Sequence, residues 1–363
     1  MARSGWRIAQ ALSFALYYSG GLWVFDRLDR LRTPGPRCTV LGYHRVATER
    51  VGYREIEVSA ETLRAHIRFL TSHGYDILTL AEYGDFIGGR RALRRDSVLI
   101  TFDDGYRDNY TDALPILRDA GVPATVFLVS GAIGGGPALW WDRVAGAVRA
   151  MRAAGVRATA AADSVPAPLA EMLANGLSDD DAASQAIGAM IDHLKDRPAD
   201  EREAAVGALE AAAPPHGVDL MLSWEMVAEM RSAGIDFGAH TVTHPMLSQL
   251  SADEARDEIE GSKRVLEERL GTGVTAFAYP YGKAGMFTDE TVGLVREGGF
   301  TLAFTTENGR DTPGTPTLRL RRDGMRDVPA YVLAVRLAGV FEHPALRRLR
   351  SLIERRPREQ AAR

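Results

Sequence analysis

The sequence predicts an α/β fold, a parallel sheet or barrel with crossover helices, interrupted by one helical insertion. Two observations carry this. From Cys38 onward, short apolar runs alternate with amphipathic stretches of helical spacing. Between about residues 138 and 222 the alternation gives way to alanine-rich helical sequence punctuated by Pro166, Pro168, Pro214 and Pro215. A chain of 363 residues suffices for one barrel-type domain or two ordinary ones. Its formal net charge of −4 makes no electrostatic case for nucleic acid, and no nucleic-acid partner is expected. The single cysteine, Cys38, cannot form an internal disulfide and reads as a small buried residue.

The elements follow in order. Residues 8–25 form an essentially uncharged run, preceded by Arg3 and Arg7 and followed by Arg27, Arg30 and Arg32. It is barely long enough to span a bilayer, and Gln10, Ser13, Ser19 and Gly20-Gly21 dilute it. Three readings stand for it: a membrane-associated helix, a helix packed on the rest of the protein, or a cleaved signal peptide. Strands are expected at residues 39–43, 98–102, 124–129, 235–239, 275–279, 301–305 and 317–320. Helices are expected at "ETLRAHIRFLTSHG", closed by Gly74, and at "SADEARDEIEGSKRVLEERLG", opened by a Ser251 cap and closed by Gly271. From about residue 330 an apolar stretch grades into an arginine-rich tail that reads as a solvated or surface-binding helix.

Three stretches carry chemistry. In "LITFDDGYRDNY" two adjacent carboxylates, Asp103 and Asp104, follow a buried strand, and each needs a partner. In "GIDFGAHTVTHPML", His240 and His244 can face one metal ion, with Gly238 allowing close backbone approach and Thr241 and Thr243 as supporting donors. If the two strand ends meet, Asp104 completes a ligand set of two histidines and one carboxylate with an open position, a donor set for zinc or another divalent ion. Asp103 is then placed as general base; otherwise the two aspartates cap the following helix. In "AFAYPYGK" the chain turns sharply, so that backbone N–H groups can face the site as oxyanion donors.

"TFDDG", "HTVTH" and "YPYG", in this order at strand ends, resemble the polysaccharide deacetylase family, also called the NodB-homology domain or carbohydrate esterase family 4. The resemblance covers roughly residues 39–322 apart from the insertion. It implies a distorted (β/α) barrel and metal-dependent removal of acetyl groups from N-acetylated sugars. It makes Asp103 the base, Asp104, His240 and His244 the metal ligands, and the Tyr281 N–H an oxyanion donor. Two departures stand out. Many members carry a base-orienting arginine just before the Pro-Tyr turn, where this chain has Ala278 and Tyr279. Many also take their general acid from a late histidine, where this chain reads "TLRLRRDGM". A rearranged version of the barrel implies His44, in "VLGYHRV", as the acid, and Arg319 can stand in for the missing arginine.

The expectation is therefore a hydrolase with a divalent metal, Zn2+ foremost, acting on N-acetyl groups of a polysaccharide or a lipid-linked glycan. Residues 1–36 would form an N-terminal apolar helix, 37–330 the catalytic domain, and 331–363 a basic tail. Membrane association, at the cytoplasmic face or in the cell envelope, is favoured over a fully soluble state. Hydrolysis of another linear or cyclic amide, or a catalytically silent glycan-binding role, are the alternatives.

Overall fold

In the computed structural model, residues 2–32, 35–48, 53, 56–157, 164–215, 217 and 219–340 are described. The arginine-rich end of the tail, residues 341–363, and the side chains of Arg3 and Arg7 lie outside them. Two helices open the chain, α1 (Ala2–Tyr18) and α2 (Gly21–Arg32). There follow strands β1 (Cys38–Tyr43), β2 (Arg45–Val46) and β3 (Glu57–Val58), helix α3 (Ala60–Ser72), β4 (Asp76–Leu78), α4 (Leu80–Ile87), β5 (Ser97–Phe102), α5 (Leu114–Ala120) and β6 (Ala124–Leu128). The insertion is helical, as its composition predicts: α6 (Trp140–Ala153), α7 (Ala167–Gly176), α8 (Asp180–Lys195) and α9 (Ala199–Ala212). Regular alternation then resumes with α10 (Trp224–Ser232), β7 (Ile235–Ala239), α11 (Ala252–Leu270), β8 (Ala276–Ala278), α12 (Asp289–Glu297), β9 (Leu302–Phe304), β10 (Asp323–Gly324) and α13 (Ala330–Leu337).

Eight strands form one parallel sheet, with β10-β1-β5-β6-β7-β8-β9 in order and β4 alongside the first half of β5. The sheet curls into a half-barrel, and both of its faces are buried, as parallel sheets require. Inside the curl, Val40, Leu99, Phe127, Ala278 and Phe304 pack with Tyr83 and Phe86 of α4. Outside it, Leu41, Tyr43, Val98, Ile100 and Phe102 meet the surrounding helices. Gly238 serves this packing rather than a ligand, because a Cβ there would come within 2.5 Å of the Phe127 ring. The helix ends follow their sequence signals: Ser251 and Glu254 form a capping box on α11, and Gly271 closes that helix in the left-handed region.

One expected strand is absent. Residues 317–320 turn, and Leu320 makes a single parallel bridge to Phe304. The strand closing that side is instead the two-residue β10, paired with Leu41 and Gly42 of β1. The segment between β9 and β10 therefore fills a seam in the half-barrel, and Arg322 is fully enclosed there.

Candidate metal and catalytic site

Parallel strands bring their C-terminal ends to one rim, which is where barrels of this kind assemble sites. Asp103 and Asp104 leave β5, His240 and His244 follow β7, Tyr281 follows β8, and His44 follows β1. Four non-glycine residues have positive φ among the described residues: Asp104 (75°), Thr241 (65°), His244 (62°) and Tyr281 (61°). All four lie at this rim, and left-handed backbone at residues with a Cβ is strain that the surrounding fold must hold in place.

The Nε2 atoms of His240 and His244 each lie 3.5 Å from Asp104 Oδ1. The three donor groups lie within 4.8 Å of one another, and all three residues are buried. His240 is oriented by a 2.7 Å hydrogen bond between Nδ1 and the Ala278 carbonyl, which leaves Nε2 directed at Asp104. Thr241 Oγ1 accepts the His244 N–H at 3.0 Å and so shapes the turn between the histidines. Thr243 turns away to Glu258.

The residues fit a divalent cation. Both Asp104 carboxylate oxygens are buried without a hydrogen-bond partner, as is His244 Nδ1. Burial, together with the Asp103 and Asp142 carboxylates, pushes the Asp104 carboxyl well above its usual range. Burial also pulls His240 down to about 4 and His244 well below its ordinary value, keeping both imidazoles in the neutral form that a metal requires.

Asp103 has the opposite surroundings. Arg322 Nη1 donates to its Oδ1 at 2.6 Å and Nη2 to its Oδ2 at 2.8 Å, a two-pronged pairing, while Arg322 Nε donates to the Thr305 carbonyl at 2.9 Å. Burial alone would raise the Asp103 carboxyl, but the Arg322 guanidinium and the His240 and His44 rings outweigh it and hold it below the usual carboxylate range. Neither aspartate caps a helix.

His44 Nε2 lies 3.9 Å from Asp103 Oδ2, with 29% of its side chain exposed toward the cavity. The barrel walls around it pull its pKa down, Asp103 opposes this, and Arg322 adds to it. Arg319 does not reach the site. Its side chain is 44% exposed and paired with Asp289, and Arg322 occupies the position expected of it. Tyr281 is held by its neighbours: Thr306 Oγ1 donates to its carbonyl at 2.6 Å, and Trp140 Nε1 donates to its hydroxyl at 3.2 Å. Gly282 makes this turn possible, since at φ 59° a Cβ would come within 2.7 Å of the Thr306 amide nitrogen.

The insertion also contributes, which its composition did not reveal. A cavity of about 140 Å³ over the aspartates and histidines is walled on one side by Trp140, Trp141, Ile191 and Lys195 from α6 and α8. Trp141 meets the His244 ring edge-on at 4.9 Å, and its Nε1 donates to Tyr106 Oη, which in turn donates to the buried Asp142 at 2.7 Å. The Trp140-Trp141 pair opening the insertion was the available sequence signal.

The sequence matches the family profile described as polysaccharide deacetylase over residues 90–167 and 174–303. It is 22% identical over 280 residues to YxkH of Bacillus subtilis (strain 168), a protein provisionally described as a polysaccharide deacetylase, covering 77% of this chain and 68% of that one. It is 32% identical over 84 residues to the poly-β-1,6-N-acetyl-D-glucosamine N-deacetylase of Escherichia coli (strain K12), covering 23% of this chain and 12% of that protein. Among solved structures, IcaB from Ammonifex degensii superposes with a TM-score of 0.54 at 22% identity, covering 84% of this chain and 97% of that one. The Streptococcus pyogenes deacetylase PplD superposes with a TM-score of 0.54 at 20% identity, covering 82% and 97%. These likenesses support the barrel fold.

Proposed function

Since the chain belongs to the polysaccharide deacetylase family, we propose that it is a metal-dependent hydrolase that removes N-acetyl groups from amino sugars of a polysaccharide or lipid-linked glycan. The observation that carries this reading is the pair of adjacent carboxylates with opposite surroundings: Asp104 with two unpartnered oxygens beside two neutral histidines, and Asp103 clamped by Arg322.

Asp104, His240 and His244 would hold the cation, Zn2+ foremost. When bound, it supplies the positive charge that polarises the acetamide carbonyl and acidifies a water molecule. Asp103, kept ionised by Arg322, takes the proton of the attacking water. The new bond joins water oxygen to the acyl carbon, and the Tyr281 N–H donates to the oxyanion. As the C–N bond breaks, His44 Nε2 gives a proton to the departing amine. The proton that His44 gives is the one Asp103 takes from the water, passed across the 3.9 Å between Asp103 Oδ2 and His44 Nε2, so the step balances with His44 starting neutral. Acetate and a free amino sugar leave, and a neutral glycan unit becomes cationic.

Acetate release from N-acetylglucosamine oligomers, before and after chelation and with Zn2+ restored, tests this. Release that a chelator abolishes and Zn2+ restores is expected. Release indifferent to chelation would overturn the metal assignment, and hydrolysis confined to non-sugar amides would overturn the substrate. The membrane surface belongs to the same reading, although no helix among the described residues is long and apolar enough to cross a bilayer.

A further inference from the structure

Large hydrophobic side chains stand exposed in one place only among the described residues. All lie on α1 and α2, with Trp23 (68%), Tyr18 (65%), Leu28 (58%) and Leu31 (79%) the most open. The opposite face of this helical hairpin is docked. Leu16, Leu22 and Phe25 pack against Val335, Ala338 and Val340, and Tyr17 lies beside Phe69. On α2 the acidic residues turn inward, Asp26 and Asp29 each 2.9 Å from Arg37, while Arg30 pairs with Asp96. The outer face of α2 keeps Arg27, with its guanidinium 5.9 Å from the Trp23 ring.

We propose that this outer face lies in the interface of an anionic lipid bilayer and that the hairpin holds the deacetylation site away from the membrane. Helices of 17 and 12 residues are about 26 and 18 Å long, short of the roughly 30 Å hydrocarbon core. A docked hairpin showing Trp, Tyr, Leu and Arg outward has instead the composition of an interfacial helix, with aromatic rings at headgroup depth and the cation on phosphate. Self-association is disfavoured, because in a two-fold contact centred on this face Arg27 would meet its own copy.

The orientation follows from topology. The α2 anchors, Arg37 and Asp96, immediately precede β1 and β5, whereas His44, Asp103 and Asp104 follow the other ends of the same strands. Six residues of parallel strand separate the two levels by about 20 Å. The site mouth thus opens away from the lipid. Resting on the deacetylase reading, this favours glycan standing clear of the bilayer over a sugar attached at the headgroup.

The test uses the full chain and vesicles of phosphatidylcholine and phosphatidylglycerol (3:1). Wild-type protein should float with them, and more weakly with pure phosphatidylcholine. The combined change Trp23→Ser, Leu28→Ser and Leu31→Ser should lower partitioning at least about tenfold, and Arg27→Glu should remove the preference for anionic lipid. Equal flotation of wild type and triple variant would overturn the proposal, as would a wild-type dimer that fails to float and that the triple change splits. For orientation, a fluorophore on Ala11→Cys should be quenched by nitroxide-headgroup lipid, and one on Lys195→Cys, at the cavity wall, should not; the native Cys38 is buried. The reverse pattern would overturn the orientation. None of these readouts needs turnover, so a failed acetate assay refutes the deacetylase reading separately.

Discussion

Arg322 offers the sharpest test of the catalytic arrangement, because nothing in its local sequence separates it from its neighbours and everything in its contacts does. It is 1% exposed and its side chain makes four hydrogen bonds, two to Asp103, one to the Thr305 carbonyl and a longer one of 3.4 Å to Thr101 Oγ1. Arg322→Met removes one member of a buried ion pair and leaves the Asp103 charge uncompensated. That costs about 3–5 kcal/mol of stability, or a melting temperature lower by roughly 6–20 °C in a domain of this size. Arg322→Lys keeps the charge but loses the planar fork, so Asp103 is held by one contact and free to swing. A base displaced by even 1 Å is expected to lose about 10²-fold in kcat, with KM little changed. Arg319→Ala is the control: its partner Asp289 is 95% exposed, so both stability and kcat should stay near wild type. Acetate release and thermal melts on the three variants decide the matter. Wild-type kcat in Arg322→Lys, or a large kcat loss in Arg319→Ala, would refute the assignment of the orienting role to Arg322.

His240→Ala and His244→Ala should each strip most bound metal, measured by elemental analysis of the purified protein, and nearly all activity; full occupancy in either would remove that residue from the ligand set. Asp103→Asn should keep the metal and lower kcat by about 10²–10⁴, and a near-normal rate would move the base elsewhere. His44→Ala should keep metal and fold and lower kcat on an N-acetyl sugar by about 10²–10⁴, with a smaller loss on an acetyl ester, whose leaving group needs the proton less; equal losses on both would argue against an acid role. A separate pH effect arises at His66, whose ring joins Tyr43 Oη at 3.0 Å and the Val328 carbonyl at 2.8 Å. Burial holds its pKa down from 6.5 to about 4, so between those values the unfolded chain binds a proton that the folded one refuses. Its stabilising effect is complete above pH 6.5, falls by about 3 kcal/mol toward pH 4 and then levels. Denaturant titrations should show that excess loss in wild type and not in His66→Gln; parallel curves would exclude it.

Much of this molecule is legible in its sequence because buried parallel strands are short continuous apolar runs. Residues 235–239 are a strand with the expected bounds, and β1, β5, β6, β8 and β9 differ by a residue at one or both ends. Residues 317–320 depart from their strand pattern for a physical reason. "TLRL" alternates as a strand should, but Leu318 and Leu320 are buried by a turn that lets the chain enter the seam. The true closing strand, β10, has two residues, too few for any periodicity. Arg319, Arg321 and Arg322 are equivalent in sequence pattern, and the place where the strand breaks decides which one points inward. The cavity wall was hidden for a different reason. An alanine-rich insertion carries no chemical motif, and Trp140 and Trp141 acquire meaning only when α6 lies over His244.

The adjacent aspartates show how two identical side chains come to do different work. Strand geometry sends successive side chains to opposite sides, and at the end of β5 Asp103 still follows that alternation, its N–H bonded to the Tyr43 carbonyl at 2.9 Å and its carboxylate turned into the seam against Arg322. Asp104 leaves the alternation at φ 75°, and Gly105 continues the left-handed turn at 84°. Left-handed backbone costs an aspartate on the order of 1 kcal/mol, less than it costs a bulkier side chain. That turn carries the Asp104 carboxylate to the two imidazoles rather than to a second arginine. Replacing Gly105 would test the dependence: a Cβ there would come within 2.7 Å of Leu128 and Ile133, in a backbone conformation that side chains disfavour. Gly105→Ala should therefore shift Asp104 and weaken metal retention, while Asp103 stays bound to Arg322. A variant that retains metal as tightly as wild type would show that the turn does not set the ligand geometry.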